Sequence, residues 1–284
     1  MIYLVTPVFN RKKFTKDYLI SLKNQTNNNF KIIIVDDGST DGTSNMIEKE
    51  FPEVILLKES GNLWWAEATN IGIRYAIRNG ADYIMTLNDD TLPKSDYIEK
   101  MYFWIDKKPL DLLGAFAIDV KTKEPVFGGE ILDWKIDKYH SLLNKIPKNE
   151  YCGLKEVNTF PGRGFLIPTK VFKDIGFYDS KNFPQTVADL DFACRAYNKG
   201  YKLYCNYDAK IEIYPDESAT VQLQKNRSLK NYYNHLFGIR GGGNIIWFTK
   251  FAFKNAPLKY LPTYLFIGLS KRIFSYPVKW LLGK

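Results

Sequence analysis

The run Leu87-Asn88-Asp89-Asp90-Thr91 sets two adjacent carboxylates directly after the apolar stretch 83–87 and shortly before Pro93. Carboxylates at the C-terminal end of a buried parallel strand sit where open α/β sheets bind their ligands. Two unpaired anions side by side are costly to bury, so such a pair faces water, a cation or both. A hard divalent cation carrying a substrate diphosphate fits, because Mg2+ and Mn2+ take one or two carboxylates plus phosphate oxygens. A solvated turn fits as well, since Asn and Asp are favoured turn formers.

These residues need elements that hold them in place, and the first half of the chain alternates strand and helix patterns, as a parallel sheet with covering helices does. Apolar runs predict strands at 2–6, 30–35, 54–57, 82–88 and 112–118, with a loop at 7–10 after the first. Helices are predicted at 14–24, where Tyr18, Leu19 and Leu22 share a face, at 66–78, and from a Ser95 cap to 107. Asp36-Asp37-Gly38-Ser39-Thr40-Asp41-Gly42-Thr43 closes the second strand and leads into a helix capped by Thr43 or Ser44. Beyond 119 the rhythm changes to loops and short strands, including a strand over 157–167 broken by Pro161-Gly162-Arg163-Gly164. Helices at 169–175 and 189–199 and strands at 201–206 and 210–214 follow.

Composition bounds the possibilities. The 284 residues are 45% hydrophobic and 15% aromatic, enough for a packed core in one large domain or two small ones. Cys152, Cys194 and Cys205 show no CxxC spacing and read as reduced core thiols of a cytosolic protein. His140 and His235 lie far apart and support neither a histidine metal cluster nor a Ser-His triad. The run 2–5 already reads as the first strand, so no signal peptide is expected before the fold. The net charge of +9 is unevenly spread: eleven of the 40 bases and no acid follow Glu217, leaving 29 bases against 31 acids in residues 1–217.

Four segments together resemble the family-2 glycosyltransferases, in the branch of rhamnosyl- and galactofuranosyl-transferase-like enzymes. They are Thr6-Pro7-Val8-Phe9-Asn10-Arg11, then Val35 and the acidic run that follows it, then Gly61 to Gly72 leading into 87–91, and Gly176-Phe177-Tyr178-Asp179 followed by Asp189-Leu190-Asp191. The likeness spans roughly residues 1–215, and its specificity lies in the set rather than in any one piece. It implies an α/β, A-type glycosyltransferase fold: a mostly parallel nucleotide-binding sheet, a smaller mixed acceptor-side region and a helical C-terminal tail. It also implies a nucleotide-sugar donor, UDP- or dTDP-linked, Mn2+ or Mg2+, and inversion at the anomeric carbon by direct displacement.

Carried onto this sequence, the resemblance places Pro7, Phe9, Asp37, Asn70, Asp89 and Arg163 at the nucleotide sugar, Asp90 on the metal, and Asp189 as general base. Asp37 can accept from the imide of a uracil or thymine ring, while Asp36 is either a ligand or the start of an Asx turn. Phe9 either packs on the base or belongs to the core. A helix N-terminus favours an ionised Asp189, ready to take a proton, although an N-cap there has the same sequence signature. Trp64, Trp65 and Asp191 are placed on the acceptor side, with the paired tryptophans either stacking on a sugar or plugging a gap beside the sheet, and Asp191 either acting there or complementing the helix dipole. Asn70 could equally be a helix-surface amide, and Arg163 a loop cation.

The departures are specific. Asn88 replaces the first carboxylate of the usual three, 211–214 lacks the histidine ligand of many relatives, and Ser180 and Ala188 stand where acids are usual. Looser dependence on metal follows, but Asp37, Asp89, Asp90 and Asp189 remain together, as an active hexosyl- or deoxyhexosyl-transferase requires. A sugar-phosphate nucleotidyltransferase would carry a Gly-rich N-terminal loop, and 6–10 contains no glycine. A catalytically silent nucleotide- or membrane-binding scaffold is the other alternative. Residues 1–217 are expected to form the catalytic domain. Residues 218–284, with thirteen aromatics among their bases, are expected to attach it to the inner face of the cell membrane, close to a glycan or lipid-linked acceptor. Aliphatic clusters such as 265–267 suit lipid better than nucleic acid, which is not an expected partner.

Overall fold

The structure is a computed structural model that describes residues 1–215 and 228–281. Its nucleotide-side half is four parallel strands, β1 (Ile2–Val8), β2 (Phe30–Asp36), β3 (Ile55–Lys58) and β4 (Tyr83–Thr86), in the order β3-β2-β1-β4. β1 is central and apolar on both faces, as a parallel strand covered on both sides must be. Helices α1 (Lys12–Lys23), α2 (Thr43–Glu50) and α3 (Trp64–Arg78) connect them. α3 can lie close to the sheet because Gly72 faces it: a Cβ there would stand 2.5 Å from Val5 and 3.1 Å from Val35.

The sheet continues through β11 (Phe165–Pro168), antiparallel to β4, then β6 (Leu112–Asp119), β12 (Leu203–Ile213) and β10 (Leu154–Val157). Short strands β5 (Thr91–Pro93) and β7 (Pro125–Phe127) pair with β12 and β6, and β8 (Glu130–Asp133) with β9 (Lys138–Ser141) forms a separate ribbon. The expected mostly parallel half and smaller mixed half are both present. Helices α4 (Tyr97–Ile105), α5 (Thr169–Ile175) and α6 (Ala188–Asn198) complete the body.

Some local expectations change. Pro7 and Val8 extend β1 rather than opening a loop, pairing with Val35 and Asp36. The cap of α2 is neither Thr43 nor Ser44: Gly42 takes the left-handed N-cap conformation, and Asp41 accepts from the Thr43 amide at 3.0 Å. Ser95 does not cap α4, which starts after Asp96 without a side-chain cap bond. The strands expected at 201–206 and 210–214 are one strand, β12, with a register shift between Asn206 and Lys210. Cys194 and Cys205 are buried as expected, but Cys152 is exposed.

The largest change concerns the C-terminal region. Helices α7 (Leu229–Phe237), α8 (Ile245–Asn255) and α9 (Leu261–Leu281) pack onto the body. Trp247, Phe248, Phe251, Ala252 and Tyr264 join the same buried cluster as the sheet residues Tyr3, Val5 and Phe165. Trp134 of the body stacks on Phe251 at 5.6 Å and meets Tyr264 at 5.0 Å. Lys254 pairs with Asp179 at 2.7 Å and Asp191 at 3.0 Å, and Arg272 with Asp137 at 2.7 Å. The boundary expected at 217/218 lies outside the described residues, and the segments on either side share one core. The tail is therefore part of the folded body, because its aromatics are needed to cover it.

Each buried aromatic contributes about 1.5–3 kcal/mol. Ending the chain at residue 215 should therefore lower the melting midpoint by more than about 10 °C or leave the protein insoluble. Calorimetry on the shortened chain checks this; an unchanged midpoint would show that the C-terminal helices are dispensable to the fold.

Candidate functional site

The C-terminal ends of β1, β2 and β4 converge, and the acidic segments meet there. After β4, Thr91 donates its amide and hydroxyl to the Asn88 carbonyl at 3.2 and 2.7 Å, closing the turn that presents Asp89 and Asp90. The turn reading of this segment is thus observed. Asp89 points inward and is 5% exposed. Arg11 Nε lies 2.9 Å from its Oδ1 and 3.1 Å from Oδ2, and Thr15 Oγ1 donates to Oδ2 at 3.1 Å. Burial pushes the Asp89 carboxyl up to about 6; Arg11 and Thr15 pull it back, and the neighbouring Asp90 pushes it further up. Asp90 stays accessible, with a side chain 25% exposed and Arg11 Nη2 at 3.5 Å from Oδ2.

Among the described residues no cluster of three His, Cys, Asp or Glu could enclose a metal. Asn88 Oδ1 is already taken by the Trp65 indole N–H at 3.0 Å. What the donor set fits is a cation held by Asp90 and mainly by substrate phosphates, the usual mode for Mg2+. β12 runs out beside this site without a histidine. Its Glu212 is engaged by Lys94 and Lys123, and Tyr214 stands edge-on to Phe14, whose ring also lies 4.5 Å from the Arg11 guanidinium.

Just past β1, Phe9 is 48% exposed, so it is not a core residue. Asp36 is structural: it accepts from the Ser39 amide at 2.8 Å and from the Ser44 hydroxyl, pinning the turn to α2. Asp37 accepts from the Leu63 amide at 3.0 Å and the Trp64 amide at 3.2 Å, tying the end of β2 to the start of α3. Asn70 is not on the helix surface. It is buried, its Oδ1 accepts from the Tyr178 amide at 3.1 Å and its Nδ2 donates to the Tyr178 carbonyl at 2.9 Å. That two-bond clamp holds the loop before α6, and burial at 2% exposure places Asn70 in the framework.

Trp64 and Trp65 open α3 and part company. Trp64 has φ 60 and meets the Arg240 guanidinium, 5.7 Å from its ring. Trp65 turns inward, edge-on to Tyr178 at 5.1 Å, with its backbone amide donating to Gln185 Oε1 at 3.1 Å. Gly162 leaves room for it, since a Cβ there would stand 2.5 Å from the indole. Beyond Gly162 lies Asp189. It is not the cap of α6, which starts after Val187; Asp189 Oδ2 accepts from the Gly162 amide at 2.9 Å and Oδ1 from the Leu190 amide at 2.9 Å. Burial raises its pKa, against those two backbone donors and the nearby Arg163 charge, and burial prevails. Arg163 also offsets part of the upward push that burial gives Glu130.

Asp191 is elsewhere. Fully buried in the seam between α6 and α8, it is held by Arg195 at 2.8 Å, Lys254 at 3.0 Å and Asn255 at 2.9 Å. Those contacts remove it from the acceptor side and make it the anchor of the C-terminal helices.

These contacts link the strand ends to the 162 loop and α6, Asp37 to Trp64, Trp65 to Asn88 and Gly162, and Gly162 to Asp189, with Phe9, Asp89, Asp90 and Arg163 on the same segments and Pro7 in β1, while Asn70 and Asp191 are buried in the framework. Arg11, Thr15, Gln185 and Arg240 bear on the cleft without having been expected there. Arg11 was findable, because a base directly after a β1 loop faces whatever the neighbouring β4 presents. Arg240 was not, because its position depends on how the C-terminal helices dock.

With this geometry in hand, comparison with known proteins places the chain. Residues 3–200 match the family described as Glycosyl transferase family 2. The Streptococcus pneumoniae glycosyltransferase GlyG is 29% identical over 116 residues, 40% of this chain and 38% of GlyG, so the chain spans well under half of that relative. The dTDP-rhamnosyl transferase RfbF of Shigella flexneri is 26% identical over 223 residues, 74% of this chain and 68% of RfbF. Among solved structures, S. aureus TarS 1-349 superposes with TM-score 0.59 at 13% identity, covering all of this chain and 92% of that one, a likeness of fold. A match across more than half the chain, over an A-type fold, makes the conclusion direct: the chain belongs to glycosyl transferase family 2.

Proposed function

We propose that the chain transfers a sugar from a UDP- or dTDP-linked donor to a glycan or lipid-linked glycan acceptor, with inversion, as a step of polysaccharide synthesis. Supporting the donor class are RfbF, named for a dTDP-linked sugar, and TarS, solved with UDP and with UDP-GlcNAc. A Staphylococcus aureus poly-beta-1,6-N-acetyl-D-glucosamine synthase, 28% identical over 61% of this chain and 40% of its own length, supports the polysaccharide setting.

One observation carries the mechanism. Asn88 is bonded to Trp65, Trp65 lies on Gly162, and Gly162 is bonded to Asp189, so the acidic turn and the base face one cleft across a single indole. Phe9 and Asp37 flank the base of the nucleotide. Asp90 would hold Mn2+ or Mg2+ together with the donor phosphates, and the cation would neutralise the departing diphosphate. Asp189 accepts the proton of the acceptor hydroxyl as its oxygen bonds to the anomeric carbon. The bond from that carbon to the phosphate oxygen breaks, and the nucleoside diphosphate leaves with the electron pair. Attack from the side opposite the leaving group inverts the centre.

Asp189→Asn should reduce turnover by at least about 100-fold, the usual scale of a lost general base, with donor affinity within twofold. Single-turnover kinetics and donor titration check this; near-normal turnover would remove Asp189 from the mechanism. The raised pKa of Asp189 puts the acid limb of the rate above the ordinary carboxylate range. Arg163 favours the ionised form, so Arg163→Gln should move that limb to still higher pH. Asp90→Ala should weaken donor binding strongly with Mn2+ and little in chelator, measured by calorimetry; equal losses in both would make the aspartate a direct or structural contact.

The outer faces of the C-terminal helices support attachment to the anionic inner face of the cell membrane. Phe266, Phe274 and Val278 are exposed at eight- and four-residue spacing on α9, and Phe253 and Leu258 are exposed nearby. Lys230, Lys250 and Lys259 accompany them, and no acid occurs after Glu217. No helix among the described residues is long and apolar enough to cross a membrane. Several bases at about 1 kcal/mol each suffice to hold such a face at an anionic surface. The full chain should float with anionic liposomes at low salt and not with neutral ones, and a Phe266→Glu, Phe274→Glu variant should lose this. Failure of the full chain to float would refute the attachment.

A further inference from the structure

The acidic turn after β4 already holds a cation of its own. Arg11 stands between the end of β1 and the start of α1, and its guanidinium reaches both carboxylates of the turn. Nε lies 2.9 Å from Asp89 Oδ1 and 3.1 Å from Oδ2, while Nη2 lies 3.5 Å from Asp90 Oδ2. The Phe14 ring backs the guanidinium at 4.5 Å, and Tyr214 stands edge-on to that ring at 5.4 Å.

The two ends of this pairing differ. At Asp89 the charge is hydrogen-bonded, and Thr15 Oγ1 fixes the same carboxylate at 3.1 Å. At Asp90 the pairing is Coulombic alone, because Nη2 is buried and completes no hydrogen bond. Asp90 can therefore exchange its partner, whereas the Asp89 bonds and the aromatic ring keep the guanidinium in place. A divalent ion taken by Asp90 sits beside a fixed positive charge that repels it. The turn offers little to offset this repulsion. Arg11 reduces its two negative charges to one, and the uncharged Asn88 has its Oδ1 taken by Trp65. A nucleoside diphosphate supplies the missing negative charge, and both the guanidinium and the ion attract it.

We infer that Arg11 is a positioning residue that makes uptake of the divalent ion conditional on the nucleoside diphosphate. It acts through Asp90, and the inference rests on the reading above that Asp90 holds the ion. The coupling is reciprocal, so the ion raises nucleotide affinity by the factor by which nucleotide raises ion affinity.

Electron paramagnetic resonance of Mn2+ reads the binding directly on the full chain, alone and with UDP or dTDP. The wild type should bind Mn2+ weakly alone and at least about tenfold more tightly with one of the nucleotides. Arg11→Gln should bind Mn2+ alone at least about fivefold more tightly than the wild type, a gain that loss of a merely structural residue would not give. Arg11→Lys, which restores the charge, should restore the weak binding. Should Arg11→Gln not fold, Asp89→Asn with and without Arg11→Gln decides, since the double variant leaves no buried charge without its partner. The double variant should then bind Mn2+ more tightly than Asp89→Asn. No gain on removing Arg11, or an equal gain in Arg11→Lys, overturns the inference. If Asp90→Ala binds Mn2+ with nucleotide as the wild type does, the assignment of the ion to Asp90 fails and the inference with it. If Asp90→Ala loses Mn2+ while Arg11→Gln gains none, that assignment stands and the role of Arg11 alone is refuted.

Discussion

The cleft depends on how one indole is held. Trp65 fills the space between the β4 turn and the 162 loop, and it reaches both: its N–H is bonded to Asn88 and its ring lies on Gly162. Gln185 and Tyr178 fix it from behind. An indole is rigid and large, so two loops that are distant in sequence are kept at one separation by a single side chain. It also explains Asn88. A carboxylate at that position could accept from the indole too, but it would add a third charge beside Asp89 and Asp90 in a partly buried turn. The neutral amide makes the same bond without that cost.

The charges in the body are handled in two ways. At the cleft, Asp89 is buried against Arg11 and Thr15 and serves as a fixed support, which leaves Asp90 as the carboxylate that can exchange partners. In the seam, Asp191 is buried completely, satisfied by Arg195, Lys254 and Asn255. Removing one partner of a buried pair typically costs about 3–5 kcal/mol, so this cluster binds α8 to α6 firmly. Because α6 also carries Asp189, the position of that carboxylate is tied to the docking of the C-terminal helices. The aromatics Trp247, Phe251 and Tyr264 reinforce the same union from within the core.

Two residues of one motif, Asp189 and Asp191, therefore face opposite ways. Two positions apart on a helix is about 200° of rotation, so a pair in this spacing cannot share a face. The spacing alone excluded a common role for both, although it could not say which one met the cleft. Asn70 teaches a related lesson. Its polar type suits a ligand contact, but the amide is 2% exposed and bonded to both the N–H and the C=O of Tyr178, so burial keeps a nucleotide from it.

What the sequence determined by itself was the parallel nucleotide-side half and the acids at its strand ends. Apolar runs of strand length, alternating with helical periods and closed by Asp, Asn and Gly, are local signals that need no knowledge of neighbours. Those signals place Asp37, Asp89 and Asp90 after strands β2 and β4, while the roles of Phe9, Asp37, Asp89, Asp90 and Asp189 are what the resemblance to the family implies. Only the tertiary structure decided which way polar side chains inside helices point, that Arg11 neutralises the acidic turn, and that the basic, aromatic tail is half core. Those outcomes depend on contacts between residues far apart in the chain, such as Arg240 with Trp64 or Lys254 with Asp191. A run of bases and aromatics has the same local pattern whether its rings meet lipid or protein; only the available partner surface, here the uncovered side of the sheet and α6, settles which rings are buried.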